Sequence, residues 1–349
     1  MILYMAFLNM MIYYISAYYY IYHGFRQCDD WQNLMNDLKK LDQNIRKETS
    51  TNQYINGRSI NDRSIKIVEA LAIFMTFTVP ALWLIVQILL DYISSYEEHE
   101  YFITQMLSYC ILAQSLINSF VFDIVVYVLY CRSQTLNELI GTLHKFHVQE
   151  IASKIRFIRK LHSDICKLAK MVNDMHGIHL LLCSANCFIM TVTALFNFYF
   201  TLNHEDKLLL LIHPVLQIIY TMQFYPICWI CTLACKEFNR TGCIIHEIPL
   251  KCQPVNLDNH EASNQLSLEV RVSMEDSNSE QNSNCSSSHN QYDKNEDLKC
   301  VRNEVRDFSN QLQNRIAFRV CDFFEINKTL FSGFVGVSFT YLFIFVRFS

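Results

Sequence analysis

Thr340-Tyr341-Leu342-Phe343-Ile344-Phe345-Val346-Arg347-Phe348 closes a run, residues 329–348, whose only charged side chain is Arg347. A run of about 20 apolar residues can cross a hydrocarbon layer roughly 30 Å thick. Working backward, five further stretches read the same way: 208–235, 176–202, 101–130, 66–93 and 2–25. The chain of 349 residues is 51% apolar and 18% charged, with 7 Gly and 5 Pro. A soluble chain would break its apolar runs more often with turn residues. The sequence therefore predicts an all-α fold, a polytopic transmembrane helical bundle with six spans.

Cations set the orientation, because Lys and Arg near span ends stay on the cytoplasmic side. Segment 26–66 holds eight: Arg26, Lys39, Lys40, Arg46, Lys47, Arg58, Arg63 and Lys66. Segment 131–175 holds eight more and segment 236–328 eleven, leaving Lys207 and Arg347 of the 29. The short loop 94–100, Ser-Ser-Tyr-Glu-Glu-His-Glu, has none. The three long segments are expected in the cytosol and both termini outside. Met1 to Phe25 lacks the basic start, short apolar core and small-residue cleavage site of a signal peptide, and reads as a span.

None of the 14 cysteines falls in a loop assigned outside, so a disulfide framework is not expected. Cys228, Cys231 and Cys235 stand at i, i+3, i+7. A metal site is one reading of them and a small apolar packing stripe the favoured one. The sequons at Asn239, Asn284 and Asn327 lie on the cytoplasmic side, where no glycan is expected.

The cytoplasmic segments carry helical patterns. Trp31, Leu34, Leu38, Leu41 and Ile45 give an amphipathic helix within 26–65. Ile155, Ile158, Leu161, Ile165, Leu168, Val172 and Met175 recur at steps of three and four in a helical extension, 131–175, that joins the span at 176–202. Val301, Val305, Phe308, Leu312, Ile316, Val320 and Phe323 write a third helix in an anchor segment, 298–328. Residues 236–254 read as a connector, and 255–297, rich in Asn, Ser, Asp, Glu and Gln, as a disordered insertion.

Polar side chains inside spans cost free energy, so each is a candidate site or an interhelical hydrogen bond. In the outer half these are Gln87, Asp91, Gln105, Tyr109, Asn197 and Tyr199. His213, Gln217 and Tyr220, at i, i+4, i+7, share one helical face. Aromatics with a few hydrogen-bonding groups suit a sugar, an amino acid or a bitter compound. Asp123 is the carboxylate well inside a span, and its expected role is a structural pair with Arg132 or Lys170. Pro80, Pro214 and Pro226 suggest kinks.

The terminal run resembles the C-terminal signature of the insect gustatory receptor family: Thr-Tyr, five hydrophobic residues, then Gln-Phe, met here by Thr340, Tyr341 and Phe348 with Arg347 at the Gln position. Phe323-Phe324-Glu325-Ile326-Asn327, the region from Lys160 through Leu202 and the long segment before the last span also look like that family. Its members have seven spans with the N-terminus inside. Matching from the C-terminal end leaves the first span missing, which moves the N-terminus outside as the charge count does.

The resemblance implies a tetrameric, ligand-gated, nonselective cation channel in the plasma membrane of chemosensory neurons. It implies small-molecule tastant ligands, contact with membrane lipid, and homomeric or heteromeric assembly, with no cofactor and no nucleic-acid partner. The last span would line the pore with Phe339, Thr340, Phe343 and Arg347 along one face. Gly333, Gly336 and Ser338 are small enough for close helix approach. Four copies of Arg347 would repel cations; at the chain end, Arg347 has the alternative of reaching lipid headgroups.

The alternatives are a related odorant receptor and a membrane di-iron enzyme. His144, His147, His162, His176 and His179 lie near the cytoplasmic face, but no adjacent His-His pair supplies the tight spacing such a centre needs. A G-protein-coupled receptor is disfavoured by the charge asymmetry and by the lack of Asp-Arg-Tyr and Asn-Pro-x-x-Tyr motifs.

Overall fold

A computed structural model describes residues 2–51, part of the stretch 66–88, and residues 100–202, 207–251, 288–313 and 316–348. The elements are α1 (Ile2–Arg26), α2 (Cys28–Thr51), α3 (Glu100–Thr142), a 3-10 turn (Leu143–Lys145), α4 (Val148–Leu202), α5 (Lys207–Lys251) and α6 (Ser288–Leu312). A two-stranded hairpin, β1 (Arg319–Val320) and β2 (Phe324–Glu325), and α7 (Lys328–Phe348) complete the chain. Described positions from 66 to 88 are helical as well.

The helices α3, α4 and α5 are far longer than a membrane is thick. At ~1.5 Å per residue, the 55 residues of α4 reach about 80 Å. These three pack side by side along their length. Their shared core runs without interruption from Leu116, Phe122 and Cys187 to Leu136, Ile155 and Ile245. Among the described residues, two stretches, 113–145 and 148–196, are long and apolar enough to cross a membrane.

At the charged end the predicted faces bury as the pattern requires. Leu34, Leu41 and Ile45 of α2 and Ile155, Ile158, Leu161, Ile165, Leu168 and Val172 of α4 are all under 5% exposed. Ion pairs fasten this end from outside: Arg132 to Asp42 at 2.6 Å, Lys154 to Glu48 at 2.7 Å, and Arg156 to Glu304 at 2.6 Å. Arg159 reaches both Glu304 and Asp307 at 3.4 Å.

Three expectations are corrected. The anchor segment 298–328 is not one helix: α6 stops at Leu312 and a hairpin follows. Burial does continue, through Phe318, Val320 and Ile326, but on and beside the two strands rather than on a helix. Phe323, read as part of a helical face, stands at the hairpin turn and is 77% exposed. The turn accounts for the change, since Cys321 and Asp322 take φ of 46° and 61°, values no right-handed helix admits.

Within the expected insertion, 255–287 lie outside the described residues, whereas 288–297 are helical. No Gly or Pro interrupts that stretch, and extending an existing helix costs little beside nucleating one. Residues 236–251, expected as a connector, continue α5; Phe238 and Ile245 face the core and make the extension worthwhile. The helix α5 also runs uninterrupted through Pro214 and Pro226.

Candidate functional site

The last helix begins at a cap. Asn327 accepts the amide of Leu330 through Oδ1 at 2.8 Å, and the Lys328 amide donates to Thr232 Oγ1 of α5 at 2.9 Å. From there α7 lies against α4 and α5, with Phe331 and Phe334 packing on Phe224, and Phe188 meeting Phe334 and Tyr341 edge-on. The rest of its surface is little covered by the described residues. Gly333, Gly336, Phe339, Thr340, Phe343 and Arg347 are exposed, and Phe343 is 73% exposed. Thr340 Oγ1 donates to the Gly336 carbonyl at 3.0 Å, which leaves its methyl outward. A helix of Phe, Val and Gly with one uncovered side demands lipid or another chain.

At the base of α7 a groove of about 610 Å³ opens between α4, α5 and the hairpin, lined by Phe188, Phe224, Phe324, Leu330 and Phe334 with Asn327 at its polar end. On the other flank Lys328 Nζ stands 3.6 Å from the centre of the Trp229 ring, a cation held over an aromatic face.

Of the expected outer-half ligand residues, Gln87 and Asp91 lie outside the described residues. Gln105, Tyr109, Asn197, His213, Gln217 and Tyr220 fall on described helices, but their side chains lie outside the described residues. Tyr199 is half-buried near the end of α4.

Asp123 does not pair as expected. Arg132 is taken by Asp42, and Asp123 Oδ1, buried, has no hydrogen-bond partner among the described residues. Cys228 and Cys231 are fully buried in the apolar core and Cys235 packs beside it. Among the described residues no group of three His, Cys, Asp or Glu side chains is placed to hold a metal ion.

A polar cluster that the sequence reading passed over sits in the bundle core. The Tyr20 hydroxyl of α1 lies 3.0 Å from His179 Nδ1 on α4, and His179 Nε2 lies 3.1 Å from Ser119 Oγ on α3. Ser119 spends its one hydrogen on the Ser115 carbonyl at 3.0 Å. Its oxygen must then accept, so His179 donates from Nε2 and Nδ1 accepts from Tyr20. Gln223 Nε2 of α5 donates to Ser115 Oγ at 2.8 Å and to Ser119 Oγ at 3.2 Å. One histidine tautomer thus joins four helices. The signal was legible: Ser115, Ser119 and Asp123 stand at i, i+4, i+8, and His176 and His179 at i, i+3, all in apolar surroundings.

Toward the charged end, His162 is 3% exposed beneath Phe308 and close to Cys166 Sγ at 3.4 Å. Burial pushes its pKa down to about 4 and that of Cys166 up to about 12, so neither ionises near neutrality. His144 and His147 are exposed at the far tip, apart from the buried pair His176 and His179.

These features define a helical bundle with long extensions at one end and a terminal helix exposed on one side among the described residues. Residues 1–267 match the family described as 7tm chemosensory receptor. The chain belongs to that family. Among solved structures, the insect olfactory receptor OR5 from Machilis hrabei is similar, with a TM-score of 0.63 at 10% identity over 99% of this chain and 81% of that one. The same receptor in complex with eugenol gives a TM-score of 0.61 at 10% identity, covering 99% and 80%. No curated protein matches the chain.

Proposed function

We propose that the chain is a gustatory receptor, a subunit of a ligand-gated, nonselective cation channel that senses small-molecule tastants. Four copies surround a pore, and α7 supplies its wall. The observation that carries the reading is the outward face of α7, where Gly333, Gly336, Thr340, Phe343 and Arg347 are exposed among the described residues and sit at the spacing of one helical face. The Thr340-Tyr341 ending supports the gustatory branch. In this reading the charged ends of α3, α4 and α5, with α2 and α6, form a cytoplasmic anchor, and the spans run as the cation distribution orients them. Tastants bind in the outer half among Gln87, Asp91, Gln105, Tyr109, Asn197, Tyr199, His213, Gln217 and Tyr220. The setting is the plasma membrane of chemosensory neurons, with related subunits as partners in mixed assemblies.

A ring of Arg347 at the outer mouth makes the parent a weak cation conductor. Currents from Arg347→Gln recorded beside the parent test this. Larger cation currents from the variant are expected, whereas identical amplitude and ion selectivity would place Arg347 away from the lumen. The odorant-receptor alternative is favoured by the likeness to an olfactory receptor; a chain opened by volatile odorants and by no sugar, amino acid or alkaloid would establish it.

A further inference from the structure

The polar cluster around His179 has one loose end. Asn186, two turns beyond His179 on α4, is 8% exposed, and its Oδ1 has no hydrogen-bond partner among the described residues. It lines a small enclosed cavity between α1, α3 and α4, together with the hydroxyl-bearing residues Ser16, Tyr20 and Ser115. The cavity measures about 10 Å³, and a single water centre needs roughly 10–15 Å³ with two to four polar neighbours. Ser16, Tyr20 and Ser115 are each less than 10% exposed, so these hydroxyls are out of reach of bulk solvent. An unpaired amide oxygen beside three buried hydroxyls in a one-water space is a complete set of water ligands.

We propose that this cavity is a binding site for one water molecule, which donates to Asn186 Oδ1 and bonds the hydroxyls of Ser16, Tyr20 and Ser115. With the water in place the hydrogen-bond chain closes. It runs from Ser16 and Tyr20 on α1 through Ser115 and Ser119 on α3 to His179 and Asn186 on α4, and through Gln223 to α5. The site matters because, among the described residues, α1 turns most of its apolar side chains outward. Its Phe7, Met11, Tyr14, Ile15, Tyr18, Ile21 and Tyr22 are exposed, and Ile12, Ser16 and Tyr20 form the edge that meets the cavity. Lipid tails are as apolar as those side chains, so within a membrane the hydrophobic effect gives little drive to dock α1 and polar bonds must help. The water makes the joint between α1 and the core a hydrated one.

The test uses the full chain purified into phosphatidylcholine nanodiscs. Asn186→Leu removes the amide while roughly keeping its volume. If water bridges the site, the substitution strands buried hydroxyls and the melting midpoint falls by about 2–4 °C; an unchanged or higher midpoint means that Asn186 stood in a dry gap and overturns the proposal. Should Asn186→Leu fail to fold, a high-resolution density map of the unaltered chain decides. A solvent peak within hydrogen-bonding distance of Asn186 Oδ1 is the expected result, and a well-ordered Asn186 without one overturns it. Neither measurement depends on whether the chain conducts.

Discussion

Tyr20 and His179 show how much a single proton position can carry. Because His179 donates at Nε2 and accepts at Nδ1, Tyr20→Phe leaves Nδ1 buried without a donor. The expected cost is about 1–2 kcal/mol, read as a lower melting midpoint. His179→Leu takes a partner from both Tyr20 and Ser119, and its penalty is expected to exceed that of Tyr20→Phe. His162 gives a pH dependence with a definite sign. Its folded pKa of about 4 lies below the ordinary 6.5, so on acidification the unfolded chain takes the proton first. Stability is flat above pH 6.5 on this account and falls between 6.5 and about 4, by roughly 3 kcal/mol in total. Melting midpoints across that range should lose part of their slope in His162→Gln, and equal slopes would show that His162 titrates freely. These residues were visible in the sequence as polar exceptions in apolar runs, but a one-dimensional pattern does not tell which exceptions meet across helices.

At the scale of elements, the hairpin between α6 and α7 is the part that periodicity misread. Ile316 and Val320 stand four apart as on a helix, whereas the residues that bury are Phe318 and Val320, two apart as on an extended strand. Asp322 suits a positive φ, but Cys321 before it does not, so the pair is a weak turn signal in the sequence. That choice stores strain, and Cys321→Gly is expected to stabilise the fold by ~1 kcal/mol, detected as a higher melting midpoint. Gly177 of α4 faces this turn. A Cβ there would meet Cys321 Sγ at 3.5 Å, an ordinary contact. Gly177→Ala is therefore expected to be neutral or to gain up to about 1 kcal/mol of helix propensity. Gly177→Phe should instead push the hairpin off α4 and cost roughly 1–3 kcal/mol. The amphipathic faces of α2 and of the charged half of α4 were legible because they repeat over three or more turns with charges opposite. The helical start at Ser288 was not, since its composition is polar and its order comes from the helix it extends.

For the whole molecule, the apolar runs and the sided distribution of cations already defined a helical membrane protein, and the match to the chemosensory receptor family agrees. The apolar period already joined the charged half of α4 to its span, but composition did not reveal that α5 likewise continues as a single rod through 236–251. Each rod buries apolar residues well into the charged end, so a sequence window sized to a membrane cuts it short. Beside these long rods the hairpin and α7 are short, separate elements. The outward side of α7 then becomes the feature on which function turns, because among the described residues Gly333, Gly336 and Phe343 stay exposed.

The most direct measurement is the current across a planar lipid bilayer containing the purified chain, challenged with sugars, amino acids and alkaloids, for the parent and for Arg347→Gln. Ligand-evoked cation current, small in the parent and larger in Arg347→Gln, is the predicted result. Silence from both proteins across that whole panel, with the chain correctly inserted, would contradict the account.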